Sequence, residues 1–252
     1  MVVQVEIFQK VPREKQPKLY QNESFTAMTE RRIPILPSDD RERVSRDLLR
    51  RYDAQVAARP PADSAGAAAL RRQLVMLETL DHEYGGGAPL ETGASAHLVG
   101  SVLSGLDRLG DPDLVIAAAL WALRHGLEIA PVEPVVNALA ERSNAARGRE
   151  QLAAVFSLMQ AVIDNVRERL GVDLERSNPE RPWRVLHANL AITAIRSEEP
   201  ALLDAAFDAL DNALPDERAS FYAEALPLSL APGIAEAVRE RIEERHLRWT
   251  AR

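Results

Sequence analysis

From Ser38 to the carboxyl end the sequence is a succession of segments in which apolar residues recur three and four positions apart, punctuated by capping residues, prolines and glycines. That spacing lays one apolar stripe along a helix, and nothing after the first few residues pairs as strands alternating with a period of two. The chain is thereby confined to an all-α class. Ser38 or Asp39 caps a first helix running to about Arg59, with Val44, Leu48, Tyr52 and Val56 along one side. The same punctuation predicts helices over about 64–84, 94–109, 112–125, 131–145, 148–170, 181–197, 199–213, 215–226 and 232–249. Asp111-Pro112 opens the helix over 112–125, the fourth of the chain, in which Leu114, Ala118, Trp121 and Ala122 share a packing stripe.

Short connections make sequential helices antiparallel neighbours, and frequent alanines let their axes approach closely. The expected architecture is antiparallel helical hairpins, wound either as an irregular helical-repeat superhelix or as a compact bundle. An echo supports the hairpin: the segment from Leu98 aligns without gaps on that from Leu186, matching Arg108 with Arg196, Pro112 with Pro200 and Leu114 with Leu202. Helix, tight acidic-Pro turn and helix recur in both, which is similar to the general layout of stacked helical-repeat arrays. The period is not sustained and no repeat-family signature accompanies it.

The first 27 residues read differently. All three lysines, Lys10, Lys15 and Lys18, fall there, while every later basic chain other than histidine is arginine, and Met28 offers a second natural start. The segment is an added or misassigned leader, a tethered partner segment, or a native arm. In VVQVEIF, Val3, Val5 and Ile7 alternate with Gln4 and Glu6, the pattern of a strand with one buried face, before Pro12 and Pro17 break regular structure. A lone strand leaves its backbone groups unpaired, so it requires an outside partner: the same segment of a second copy, giving a homodimer, or another protein's sheet edge. The division expected is an extended arm over 1–37 and a helical domain over 38–252, with Leu19, Tyr20 and Phe25 as the arm's apolar anchors.

Composition bounds the chemistry. At 252 residues and 46% hydrophobic the chain buries a substantial core without staples, and the absence of cysteine removes disulfides, thiolate metal sites and cysteine nucleophiles. A net charge of −7 disfavours nucleic acid as a partner. The amino end lacks a basic region before its apolar run, and no stretch of eighteen apolar residues follows, so the expectation is a cytoplasmic protein without membrane contact.

The stretch richest in chemistry-bearing residues is DHEYGGGAPLETGASAH, Asp81 to His97. It sets His82 and Glu83 at a helix end, a Gly-rich loop after them, and Glu91 and His97 beyond; His82, Glu83 and His97 are the candidate catalytic or ligand-binding residues of a helical enzyme or small-molecule binding protein. The plainer account is a helix terminus, where a histidine complements the dipole and glycine stops the turn. His125 before Gly126 has the same explanation, and His187 among Trp183, Leu186 and Leu190 reads as a core histidine. The spacing gives no phosphate loop, zinc helix, dinucleotide loop or nucleophile elbow, and no cofactor or metal is expected. The arginine row of the first helix, interleaved with Asp40, Glu42, Asp47 and Asp53, reads as a solvated face. Trp249, close to the carboxyl end, is hard to bury unless it folds back or meets another chain. The function expected is therefore a non-catalytic binding or adaptor protein whose helical surface captures a peptide or protein, with the arm as dimer clasp or docked segment.

Overall fold

The computed structural model describes residues 42–83, 92–174 and 176–250, with the side chains of 42–44 and 92 excepted. Its described residues form ten helices: α1 Glu42–Ala58, α2 Ser64–Glu83, α3 Thr92–Asp107, α4 Pro112–Arg124, α5 Glu133–Ala145, α6 Arg149–Leu170, α7 Pro182–Ser197, α8 Pro200–Ala213, α9 Arg218–Ser229 and α10 Glu236–Thr250. The all-α class read from periodicity is the class observed. None of these helices is long and apolar enough to cross a membrane. The helices gather into two compact units, one holding the described residues up to Arg142 together with Asp164–Arg169, the other Ser143–Ile163 and the described residues from Leu170 onward.

In the first unit α1 packs on α2, α2 on α3, α3 on α4 and α4 back on α1. The ring of neighbours closes, which is a bundle arrangement within this unit. At its centre lies α4, in which every residue from Leu114 to Ala122 is buried. The sequence LVIAAALWA has no polar face to turn outward, so all sides of the helix must be covered. Asp111 supplies the cap, its side chain accepting from the backbone N–H of Asp113 (3.0 Å) and Leu114 (3.3 Å), and Pro112 follows it at the position where a missing N–H costs nothing. Leu48 and Tyr52 of the expected α1 stripe are buried, and the Tyr52 hydroxyl donates to the Ala67 carbonyl at 2.7 Å. Two α1 arginines face carboxylates of this unit: Arg46 pairs with Glu78 and Arg50 with Asp47. On α3, a Cβ added at Gly100 would lie 2.6 Å from the Ala130 carbonyl oxygen, so the loop before α5 rests directly on that helix. The loop is held from the other side by Asn165, whose amide accepts from Ile129 N–H (2.8 Å) and donates to the Leu127 carbonyl (3.0 Å), while Arg169 reaches the Ile129 carbonyl and Glu128.

In the second unit α7 packs on α8, α8 on α10 and α10 on α9. The turn into α8 reproduces the turn into α4: Gly110 (φ +68°) and Glu198 (φ +56°) are both left-handed and occupy equivalent positions of the sequence echo. Glycine takes that conformation without a Cβ clash; Glu198 takes it while paired with Arg149 at 2.9 Å. A buried carboxylate ties three helices together, Asp211 of α8 accepting from the Tyr222 hydroxyl of α9 (2.9 Å) and from Arg245 of α10 (2.5 Å). Arg245 also donates to Asp208, and the Tyr222 ring meets Phe207 edge to face at 5.3 Å.

Burial, and after it the Asp211 charge, pushes the Tyr222 phenol well above its ordinary range; burial likewise raises Tyr52. Both groups therefore contribute stability that is complete below about pH 10 and is lost above it, where the unfolded chain alone releases the protons. Unfolding free energies from urea titrations are expected to fall steeply above about pH 10, by up to about 1.4 kcal/mol per pH unit for the Tyr222 phenol. Tyr222→Phe is expected to remove its share of that slope; equal slopes in the variant and the parent would contradict the assignment.

Candidate functional site

The residues singled out by the sequence do not converge. His82 and Glu83 are exposed at the end of α2 and His97 is exposed on α3; among the described residues no hydrogen bond or ion pair joins them, and no group of three His, Asp or Glu side chains is placed to hold a metal ion. The Gly-rich loop with Glu91 lies outside the described residues, as do Val3, Val5, Ile7, Leu19, Tyr20 and Phe25. Trp249 is half-buried, and the Arg218 guanidinium lies over its ring at 3.4 Å from the centroid, so its face is covered from within the chain. His187 is a core histidine as expected, 2% exposed with Nδ1 2.9 Å from the Trp183 carbonyl.

The polar group that stands out is Asp81, one residue before the candidates. It is 1% exposed, on the inner side of α2 in line with Leu70, Leu74 and Leu77. Two groups four residues apart meet its Oδ1, one on α4 and one on the residue that caps it: the Trp121 indole N–H at 2.8 Å and the His125 ring at 2.6 Å. An ionised carboxylate only accepts, so His125 Nε2 carries the hydrogen in this contact. Trp121 and His125 are themselves 1% and 3% exposed, with ring centroids 4.3 Å apart. The second oxygen, Oδ2, is buried and has no hydrogen-bond partner among the described residues. A carboxylate oxygen in that position is costly unless some donor meets it.

Asp81 also forms part of the wall of a depression of about 240 Å3 that Arg46, Glu78, Thr79 and His82 complete. The imidazole of His125 is buried and its Nε2 is turned to Asp81, so the dyad does not present a base to solvent. Glu78 adds a carboxylate, paired with Arg46 at 3.5 Å, and Thr79 adds a hydroxyl whose own hydrogen is given to the Val75 carbonyl at 2.9 Å. One helical turn earlier, Val75 and Met76 are 37% and 53% exposed. Residues three and four apart share a helix face, so Val75, Met76, Thr79, His82 and Glu83 form one outward strip.

A second depression, of about 200 Å3 and lined by Asp173, Arg176, Arg181, Arg184, Asp216 and Glu217 among others, has a different character. Arg181 is 4% exposed and all five of its N–H groups are engaged, with both oxygens of Asp173 (2.6 and 3.0 Å), Glu217, and the carbonyls of Arg176 (3.2 Å) and Asn178 (3.0 Å). Arg176 faces Asp216, and Arg184 faces Glu217. Every guanidinium of this wall already meets a carboxylate, which makes it a structural knot at the foot of α7.

The sequence carried one signal for Asp81 that chemistry-first reading passed over: its spacing from Leu70, Leu74 and Leu77 continues the buried stripe, whereas His82 and Glu83 fall outside it. The partners Trp121 and His125 are four apart, the spacing of one helix face. Comparison with family models, with curated proteins and with solved structures gives no match for this chain.

Proposed function

We propose that this chain is a non-catalytic binding protein that captures a segment of a peptide or protein partner along the outward face of α2. The observation that carries the reading is the pair Val75 and Met76, exposed on the same strip as the Asp81 depression. Apolar contact area beside a polar recess is the combination by which helical surfaces anchor and orient an extended or helical segment. Methionine suits such a face because its unbranched thioether adapts to the shape of what it meets. The amino-terminal segment enters this reading as a clasp between copies or as a docked segment, which light scattering of the chain with and without residues 1–27 tests directly.

Random peptides displayed on phage and selected on the immobilised full chain test the capture reading. Enriched peptides are expected to share a pattern of apolar residues and to bind a Val75→Asp, Met76→Asp variant about tenfold or more weakly, the effect of placing charge in the centre of an apolar contact. Failure to enrich any pattern, or peptides indifferent to that double change, would remove the reading.

A further inference from the structure

Resting on that reading, we propose that the depression backed by Asp81 is an anchor for a basic side chain of the bound segment, taking its ammonium or guanidinium head. Three observations converge. Asp81 lines the recess with Oδ2 buried and unpartnered among the described residues while Oδ1 is occupied by Trp121 and His125, so its carboxylate keeps one acceptor that no described residue meets. Two carboxylates, Asp81 and Glu78, stand in the wall with the guanidinium of Arg46 and the imidazole of His82, and Thr79 offers only lone pairs. At about 240 Å3 the recess is below the roughly 300–1,000 Å3 of pockets that enclose whole small molecules, but it admits the end of one side chain.

The geometry assigns each part a role. Asp81 Oδ2 receives an N–H of the head, and Glu78 shares a second while exchanging part of its pairing with Arg46. Val75 and Met76 lie one turn away, where the methylene stem of a lysine or arginine emerging from the recess runs along apolar surface. The acidic balance of the chain, −7 overall, favours the approach of a basic segment.

The Trp121 indole N–H is a built-in reporter, because it donates to the other oxygen of the same carboxylate. Proton–nitrogen spectra of the full chain hold three indole signals, from Trp121, Trp183 and Trp249, and Trp121→Phe identifies the first. The probes are N-acetyl-lysine methylamide and its ε-acetylated, uncharged analogue. The basic probe is expected to move the Trp121 signal saturably and the uncharged one to leave it in place. Glu78→Gln, a partly exposed position that leaves the buried cluster intact, is expected to weaken saturation about fivefold. Asp81→Asn, checked for retained helix content by circular dichroism, is expected to abolish it. Equal responses to both probes, an unmoved Trp121 signal up to about 50 mM of the basic probe, or saturation unaffected by Glu78→Gln would each overturn the proposal. The two readings fail separately. A moving Trp121 signal without any selected peptide upholds the anchor and removes segment capture; selected peptides that need Met76 but carry no basic residue, with Trp121 unmoved, remove the anchor alone.

Discussion

Asp81→Ala is expected to lower the unfolding free energy by several kcal/mol, at about 1–3 kcal/mol for each buried donor left without its acceptor. The size follows from what remains: Trp121 Nε1–H and His125 Nε2–H, both on residues no more than 3% exposed, lose their acceptor at once. Part of the loss is returned, because the unpartnered Oδ2 is deleted as well. Urea denaturation checks this at constant pH, and a loss below about 1 kcal/mol would mean that water replaces the carboxylate without difficulty. A companion variant separates stability from binding. Replacing all three groups with apolar ones, Asp81→Leu, Trp121→Phe and His125→Leu, is expected to recover much of the loss, since a buried polar cluster exchanged whole for hydrophobic volume is often neutral or better. That protein would be stable and yet have no anchor for a basic head.

Arg181→Ala is expected to be comparably damaging, at about 3–5 kcal/mol, for a related reason. The side chain spends five donors on two carboxylates and two carbonyls, and its removal leaves Asp173, whose side chain is 8% exposed, facing Glu217 without the charge that held them together. Arg181→Lys is expected to rescue little of this, because an ammonium presents a point charge where a planar fork meets both Asp173 oxygens and three further acceptors. Thermal unfolding of the two variants side by side distinguishes charge from geometry: a lysine variant as stable as the parent would show that charge alone suffices.

These two residues also mark where the sequence was legible and where it was not. Helix positions followed from periodicity and punctuation, because Pro112 and Pro200 sit at helix starts and Gly110 and Gly126 at helix ends for reasons local to a few residues. Even the equivalence of Gly110 and Glu198 was implied by the echo between the segments from Leu98 and Leu186. Burial of a single charged residue is different in kind. Arg181 immediately before Pro182 looks like any solvated arginine; its partners Asp173 and Glu217 are brought to it by a loop and by the α8–α9 turn, and no spacing announces them. Asp81 was half-legible, its position on the leucine stripe being local and its partners Trp121 and His125 forty and forty-four residues away. The histidines beside the Gly-rich loop drew attention through residue type alone, and type without register does not tell an inward side chain from an outward one.

The clasp made by Asn165 carries a consequence for dividing this polypeptide. Leu127 and Ile129 are closed off by an amide that arrives only after the chain has left their unit and come back, within the short return of Asp164–Arg169. No single cut therefore releases that unit whole: a fragment stopped at Arg142 exposes the Ile129 main chain, and one long enough to include the amide drags along twenty-one residues, 143 to 163, that belong with the other half. End-to-end fusion at a single junction therefore cannot carry that unit into another chain with its closing amide in place.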